Sequence, residues 1–163
     1  MNETHNGSTI LLVDDDSLEV IILQRVLRDL SLASRLTHVA DGEQALAHLR
    51  SEERQTPHAI LLDLNMPRMT GLELLDVLKT DNGLRHIPVI VTTTSQRQED
   101  MTTSFALGAA AYVVKSSDYV EYRENIKAVG RFLEPHTSQD LLPVAGTPAP
   151  RGHSNGTGLN QVA

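Results

Sequence analysis

At 163 residues the chain has room for one domain of ordinary size, and 40% hydrophobic against 21% charged residues is enough to bury a core. It has no cysteine, which excludes disulfides, thiolate zinc sites and cysteine nucleophiles. No apolar run approaches the roughly 18 residues that span a bilayer, and a formal net charge of −7 opposes nonspecific binding to nucleic acid or an anionic membrane.

Residues 1–8 are polar and carry no secretory apolar segment, so a cytoplasmic location is expected. Five short aliphatic runs then read as strands: Ile10–Val13, Arg35–Val39, Ala59–Leu62, Val89–Val91 and Tyr112–Val114. Their hydrophobicity is continuous rather than alternating, as in a parallel sheet covered on both faces. Helical patterns separate them. Leu23, Val26, Leu27 and Leu30 form one stripe, with Asp16 as cap and Glu19 three residues on. Asp41 starts a second helix, and Thr70 with Glu73 forms a capping box ahead of Leu74, Leu75 and Leu78. Ser95 with Gln98 opens a fourth helix expected to bury Met101 and Phe105, ended by Gly108. Ser117 opens a fifth, with Tyr122, Ile126, Val129 and Leu133 on its apolar stripe. Right-handed crossovers turn this β-α alternation into an open, doubly wound five-stranded parallel sheet spanning 9–133. Residues 134–163 hold four of the seven prolines and four of the ten glycines, and read as a disordered tail in which only Leu141-Leu142 could dock.

Ligands of such sheets bind at the carboxyl ends of the strands. Strand one ends in Asp14-Asp15-Asp16, strand three in Asp63, strand four in Thr92-Thr93-Thr94-Ser95 and strand five in Lys115. Clustered carboxylates repel one another, and a hard divalent cation such as Mg2+ relieves that repulsion. A carboxylate beside Mg2+ and a lysine is suited to attack a phosphoryl group whose oxygens the two cations neutralise. Taken singly these residues have plainer readings. Acids favour helix starts, lysines favour surfaces, and Tyr112, Tyr119, Tyr122 and Phe132 suit packing or an interface. The seven histidines show no metal-ligand spacing.

Four segments carry a family resemblance: Leu11–Asp15, Leu61–Gly71, Ile87–Thr93 and Gly108–Lys115. Together they resemble a response regulator receiver domain, the CheY-like fold of strand order 2-1-3-4-5. The resemblance implies that Asp63 is the phosphoacceptor. It implies that Asp15 ligates Mg2+ directly, with Asp14 assisting and the Asn65 backbone carbonyl as a further ligand. Thr93 becomes the switch hydroxyl, Lys115 the cation that pairs with phosphate, and Tyr112 the aromatic that follows Thr93 inward. The phosphoryl group would come from a phosphohistidine on a sensor histidine kinase. Thr94 stands where a small residue is usual, and Ser116 where proline usually follows the lysine. A cis bond before serine costs roughly 2.5–4 kcal/mol, which leaves a trans peptide with an adjusted loop or a strained cis one.

The segment Asp81–Pro88, the Thr93-Thr94-Ser95 run and the last helix are also similar to single-domain receivers that partner bacterial phytochromes. This implies a red-light-sensing kinase and a homodimer through the last helix and its neighbouring strand. The leading expectation is thus a phosphorylation switch, self-modifying rather than a conventional enzyme, with output through an unknown downstream protein or a phosphorelay. About 30 polar residues after the last helix are too few for a DNA-binding module. Two alternatives remain. Asp14-x-Asp16 mimics the nucleophile pair of a haloacid-dehalogenase-type phosphatase, although Leu18 and the lack of a later acidic pair oppose it. The chain could also be a degenerate receiver used as a scaffold.

Overall fold

Each aliphatic run forms a strand, and each amphipathic segment between them forms a helix. The strands are β1 (Ser8–Val13), β2 (Ser34–Val39), β3 (Ala59–Leu62), β4 (Val89–Thr93) and β5 (Ala111–Val114). The helices are α1 (Ser17–Asp29), α2 (Gly42–Arg50), α3 (Gly71–Thr80), α4 (Gln98–Ala106) and α5 (Tyr119–Ala128), the last followed by a 3-10 turn at Gly130–Phe132. The computed structural model describes residues 7–32, 34–53 and 55–135. The expected tail from 136 onward, with Leu141-Leu142, and the first six residues lie outside the described residues. Among those described, no helix is long and apolar enough to cross a membrane.

The strands are all parallel, in the order β2-β1-β3-β4-β5. Successive strand residues point to opposite faces, so the sheet has two cores. On one face Leu11, Val13, Ile60, Leu62, Val89 and Val91 meet Ala45 and Leu49 of α2 and Leu74, Leu75 and Leu78 of α3. On the other, Ile10, Leu12, Leu61, Ile90 and Val113 meet Leu23, Val26 and Leu27 of α1 and Tyr122 and Ile126 of α5. Burial on both faces is why these strands carry no polar alternation.

The helix starts follow capping chemistry, with three departures from expectation. Asp41 accepts Gln44 N–H and starts α2, and Thr70 and Glu73 complete the capping box of α3. Asp16 caps α1 through Leu18 N–H, but Glu19 does not reach back to it; the side chain turns inward and is buried. Helix α5 begins one residue later than expected, because Asp118 rather than Ser117 accepts Glu121 N–H. Helix α4 departs most. Ser95 is engaged ahead of it, donating to Asp100 at 2.5 Å and accepting Arg97 N–H at 3.3 Å, so the helix starts at Gln98 with no side-chain cap. Its buried residue is Ser104, whose hydroxyl bonds the Asp100 carbonyl at 2.7 Å. The inward line therefore runs through Ser104 and Leu107, leaving Met101 half-buried and Phe105 48% exposed instead of in the core. Gly108, at φ +104°, ends this helix in the left-handed region that favours glycine.

Candidate functional site

The chemistry-bearing residues sit one step past the strands, still held by the ladder. Asp14 N–H bonds Val39 O at 3.1 Å, Asp63 N–H bonds Val13 O at 2.9 Å, and Lys115 N–H bonds Thr93 O at 2.7 Å. Strand ends fixed in this way place their side chains on one rim. Ligand oxygens of Asp14, Asp15 and Asp63 lie within 4.8 Å of one another, a group unique among the described residues. Asp14 and Asp63 are buried, whereas Asp15 faces solvent. An all-oxygen donor set of three acids suits a hard ion such as Mg2+ better than a softer metal.

Lys115 Nζ donates to Asp14 Oδ2 at 2.5 Å, and Asp14 Oδ1 accepts Asp16 N–H at 2.9 Å. The Asp14 carbonyl lies 2.7 Å from His38 Nε2, which must therefore be the donor. Burial pushes the Asp63 carboxyl up to about 6; the Lys115 charge opposes that shift, and Asp14 and Asp15 reinforce it. Burial works to lower the Lys115 ammonium, but its bond to Asp14 and the charges of Glu19, Asp14 and Asp63 outweigh it, leaving it above its ordinary range. The site thus holds a carboxyl that resists ionisation next to a lysine that keeps its charge.

The switch candidates surround this pair. Thr93 is fully buried at the end of β4, and its hydroxyl oxygen accepts Ser95 N–H at 3.2 Å and Asn65 Nδ2 at 3.4 Å. Both partners donate, so the Thr93 proton remains to be given elsewhere. Asn65 is exposed, and its backbone N–H hydrogen-bonds Asp63. Tyr112 is half-buried and donates to the Ser95 carbonyl at 3.0 Å, on the same loop that carries Thr94, which is exposed. The Lys115–Ser116 peptide is trans, which settles the question raised by Ser116; its hydroxyl bonds Glu121 at 2.5 Å and accepts Asp118 N–H at 3.1 Å.

Two residues of this centre are not legible as site residues from sequence. Glu19 accepts the Tyr122 hydroxyl through Oε1, and its Oε2 stands 3.9 Å from Lys115 Nζ. Burial, followed by the Glu19 charge, holds the Tyr122 phenol above its ordinary range and so keeps it a donor. One signal does point to them: Glu19, Leu23 and Val26 share the buried line of α1, and an acid on such a line requires a buried partner.

The protein-family model for the response regulator receiver domain matches residues 10–127. Among curated proteins, the chain is 32% identical over 135 residues to response regulator Rcp1 of Synechocystis sp., covering 80% of this chain and 92% of that one. It is 32% identical to chemotaxis protein CheY of Pseudomonas aeruginosa, covering 74% of this chain and 94% of the other. Among solved structures it resembles the phosphorylated cyanobacterial phytochrome response regulator RcpA, at 32% identity and a TM-score of 0.71, over 78% of this chain and 94% of that one.

Proposed function

The chain belongs to the response regulator receiver family, and from that premise we propose that Asp63 accepts a phosphoryl group from a sensor histidine kinase in a Mg2+-dependent step. The observation that carries this reading is the meeting of Asp14, Asp15 and Asp63 within 4.8 Å with Lys115 bound into the same cluster. An Asp63 oxygen attacks phosphorus, the P–N bond to the kinase imidazole breaks, and the ring nitrogen keeps the electron pair. Asp14, Asp15, Asp63 and the Asn65 carbonyl are the residues that would hold Mg2+, whose charge neutralises phosphoryl oxygens. Lys115 gives its ammonium to one of those oxygens and Thr93 the proton that its present partners leave free. The reacting carboxylate becomes an acyl phosphate, so the protein is modified rather than turned over. That accords with receivers being signalling proteins and not conventional enzymes.

On this reading, drawing Thr93 toward the phosphate releases the Ser95 loop to which Tyr112 is tied and shifts the population of the face formed by α4, β5 and α5. A cleft of about 450 Å3 lined by Met101, Val114, Lys115, Glu121 and Asn125 places Lys115 at the border of that face. Output then passes by protein contact or onward phosphotransfer in the cytoplasm. The likeness to phytochrome response regulators supports a bacteriophytochrome as the kinase. Val120, 57% exposed on α5 beside the edge strand β5, suits a homodimer contact. The phosphatase alternative fits the site less well, because Asp14 has both oxygens engaged and no exposed surface.

Incubation with Mg2+ and acetyl phosphate, followed by mass spectrometry, tests the reading. The expected result is a single labile phosphoryl adduct on Asp63, absent in Asp63→Asn and without added Mg2+. An adduct on Asp14, or turnover of phosphate esters, would reverse the assignment. Phosphotransfer from a phytochrome kinase that differs between red and far-red light tests the partner separately.

A further inference from the structure

The Glu19–Tyr122 pair is costly to bury and has no place in the chemistry described so far. Glu19 is 7% and Tyr122 3% exposed, and a leucine at position 19 would extend the apolar line of α1 without any desolvation cost. The two Glu19 oxygens have different surroundings. Oε1 is tied to the Tyr122 hydroxyl from α5, and Oε2 faces Lys115 Nζ at 3.9 Å. Asp14, meanwhile, has Oδ1 on Asp16 N–H and Oδ2 on Lys115. Both Asp14 oxygens are therefore engaged, so a divalent cation drawn to the acidic cluster meets the like charge of the lysine at Asp14. Ion and ammonium contend for that carboxylate, and a displaced ammonium in a pocket where the Lys115 side chain is 14% exposed needs another anion close by.

We propose that Glu19, fixed by Tyr122, is a positioning residue that offers Lys115 a second seat when a divalent cation takes its place on Asp14. The inference rests on the reading that Asp14, Asp15 and Asp63 hold such an ion. The move is small. The Lys115 backbone is held to Thr93, and closing 3.9 Å to a charge-assisted hydrogen bond takes about 1 Å, within reach of a side-chain rotation. The ammonium thereby stays in the pocket, beside Asp63, instead of leaving for solvent.

The test is Mn2+ binding followed by the paramagnetic resonance of the free ion, with Mg2+ as displacer, in the otherwise metal-free full chain. Glu19→Gln is expected to raise the Mn2+ Kd by roughly three- to ten-fold, because it leaves Asp14 as the acid within ion-pair distance of the ammonium. Tyr122→Phe removes no charge, yet frees Glu19 to turn away, and is expected to raise Kd by roughly two- to five-fold. In a Lys115→Met background, where nothing contends for Asp14, both substitutions should leave Kd unmoved. An unchanged Kd in Glu19→Gln, or an increase that persists without Lys115, overturns the inference, since the latter is a charge acting through space. So does an effect of Glu19→Gln that Tyr122→Phe fails to share. If Glu19→Gln does not fold, the Tyr122→Phe and Lys115→Met comparison decides the same question. Wild-type chain that binds neither ion overturns the cation site itself; wild-type binding with a Kd that none of the substitutions moves overturns only the role of Glu19.

Discussion

Asp63 has a carboxyl raised to about 6 by burial and by its acidic neighbours, and that shift has a sign. A group that binds its proton more tightly when folded contributes stability below its unfolded pKa, and loses that contribution as pH rises through the folded value. In chain stripped of divalent ions, Asp63→Asn should therefore be more stable than wild type at pH 7.5, with the difference closing between about pH 6 and pH 4. Asp15 of the same cluster faces solvent, so screening reduces the effect to roughly 1–2 kcal/mol. Urea denaturation at both pH values measures it, and equal stability of the two proteins at pH 7.5 would count against a charge-strained Asp63. The candidate residues legible in the sequence are those whose place on the rim follows from position at a strand end, Asp14, Asp15, Asp63, Thr93 and Lys115. Glu19 is not, because a helix-start acid has an ordinary use as a cap, and only the phase of α1 relative to α5 turns it inward toward Tyr122.

Helices hold the site by close approach as much as by apolar burial. The first residue of α3, Gly71, donates its N–H to Leu64 O at 3.0 Å, and a Cβ at Gly71 would stand 2.2 Å from the Asp63 carbonyl oxygen and 2.6 Å from Leu64 Cα. Both obstacles are backbone, so neither can yield by a rotamer change. Gly71→Ala should cost roughly 3 kcal/mol, the upper part of the range for overpacking, and should also slow Asp63 phosphorylation by displacing its loop. Thr70→Ala, one residue earlier, removes only the capping box and should cost about 1 kcal/mol while leaving the rate near wild type. Thermal melts paired with the acetyl phosphate assay separate the two, and a normal rate in Gly71→Ala would show that α3 does not position Asp63. Close approach also explains why α4 departs from its expected phase. Strands and the apolar helices announce themselves by hydrophobic spacing, whereas α4 packs through a serine whose small side chain and bond to Asp100 permit close approach. A spacing rule that looks for large apolar residues then selects Met101 and Phe105 in place of the line that is buried.

For the whole molecule, the strand order decides where chemistry can occur. Asp14 and Asp63 follow β1 and β3, neighbours at the centre of the sheet, and β2 leaves β1 on the opposite side, so the crossovers diverge and open a crevice above those two strands. β4 and β5 then bring Thr93 and Lys115 to the same rim from one flank, which is why the order of motifs along the chain foretells the site. Among the described residues, every group in that assembly lies between residues 14 and 122, and the last core residue is Leu133. A chain cut after Pro135 should therefore melt within a few degrees of the full one and take up phosphate on Asp63 at the same rate in the acetyl phosphate assay. On that outcome residues beyond 135 act outside that reaction, and sedimentation of the two lengths compares their self-association. A truncated chain that folds but no longer forms the adduct would mean that the rim alone does not suffice, and that the last residues supply a group to the site.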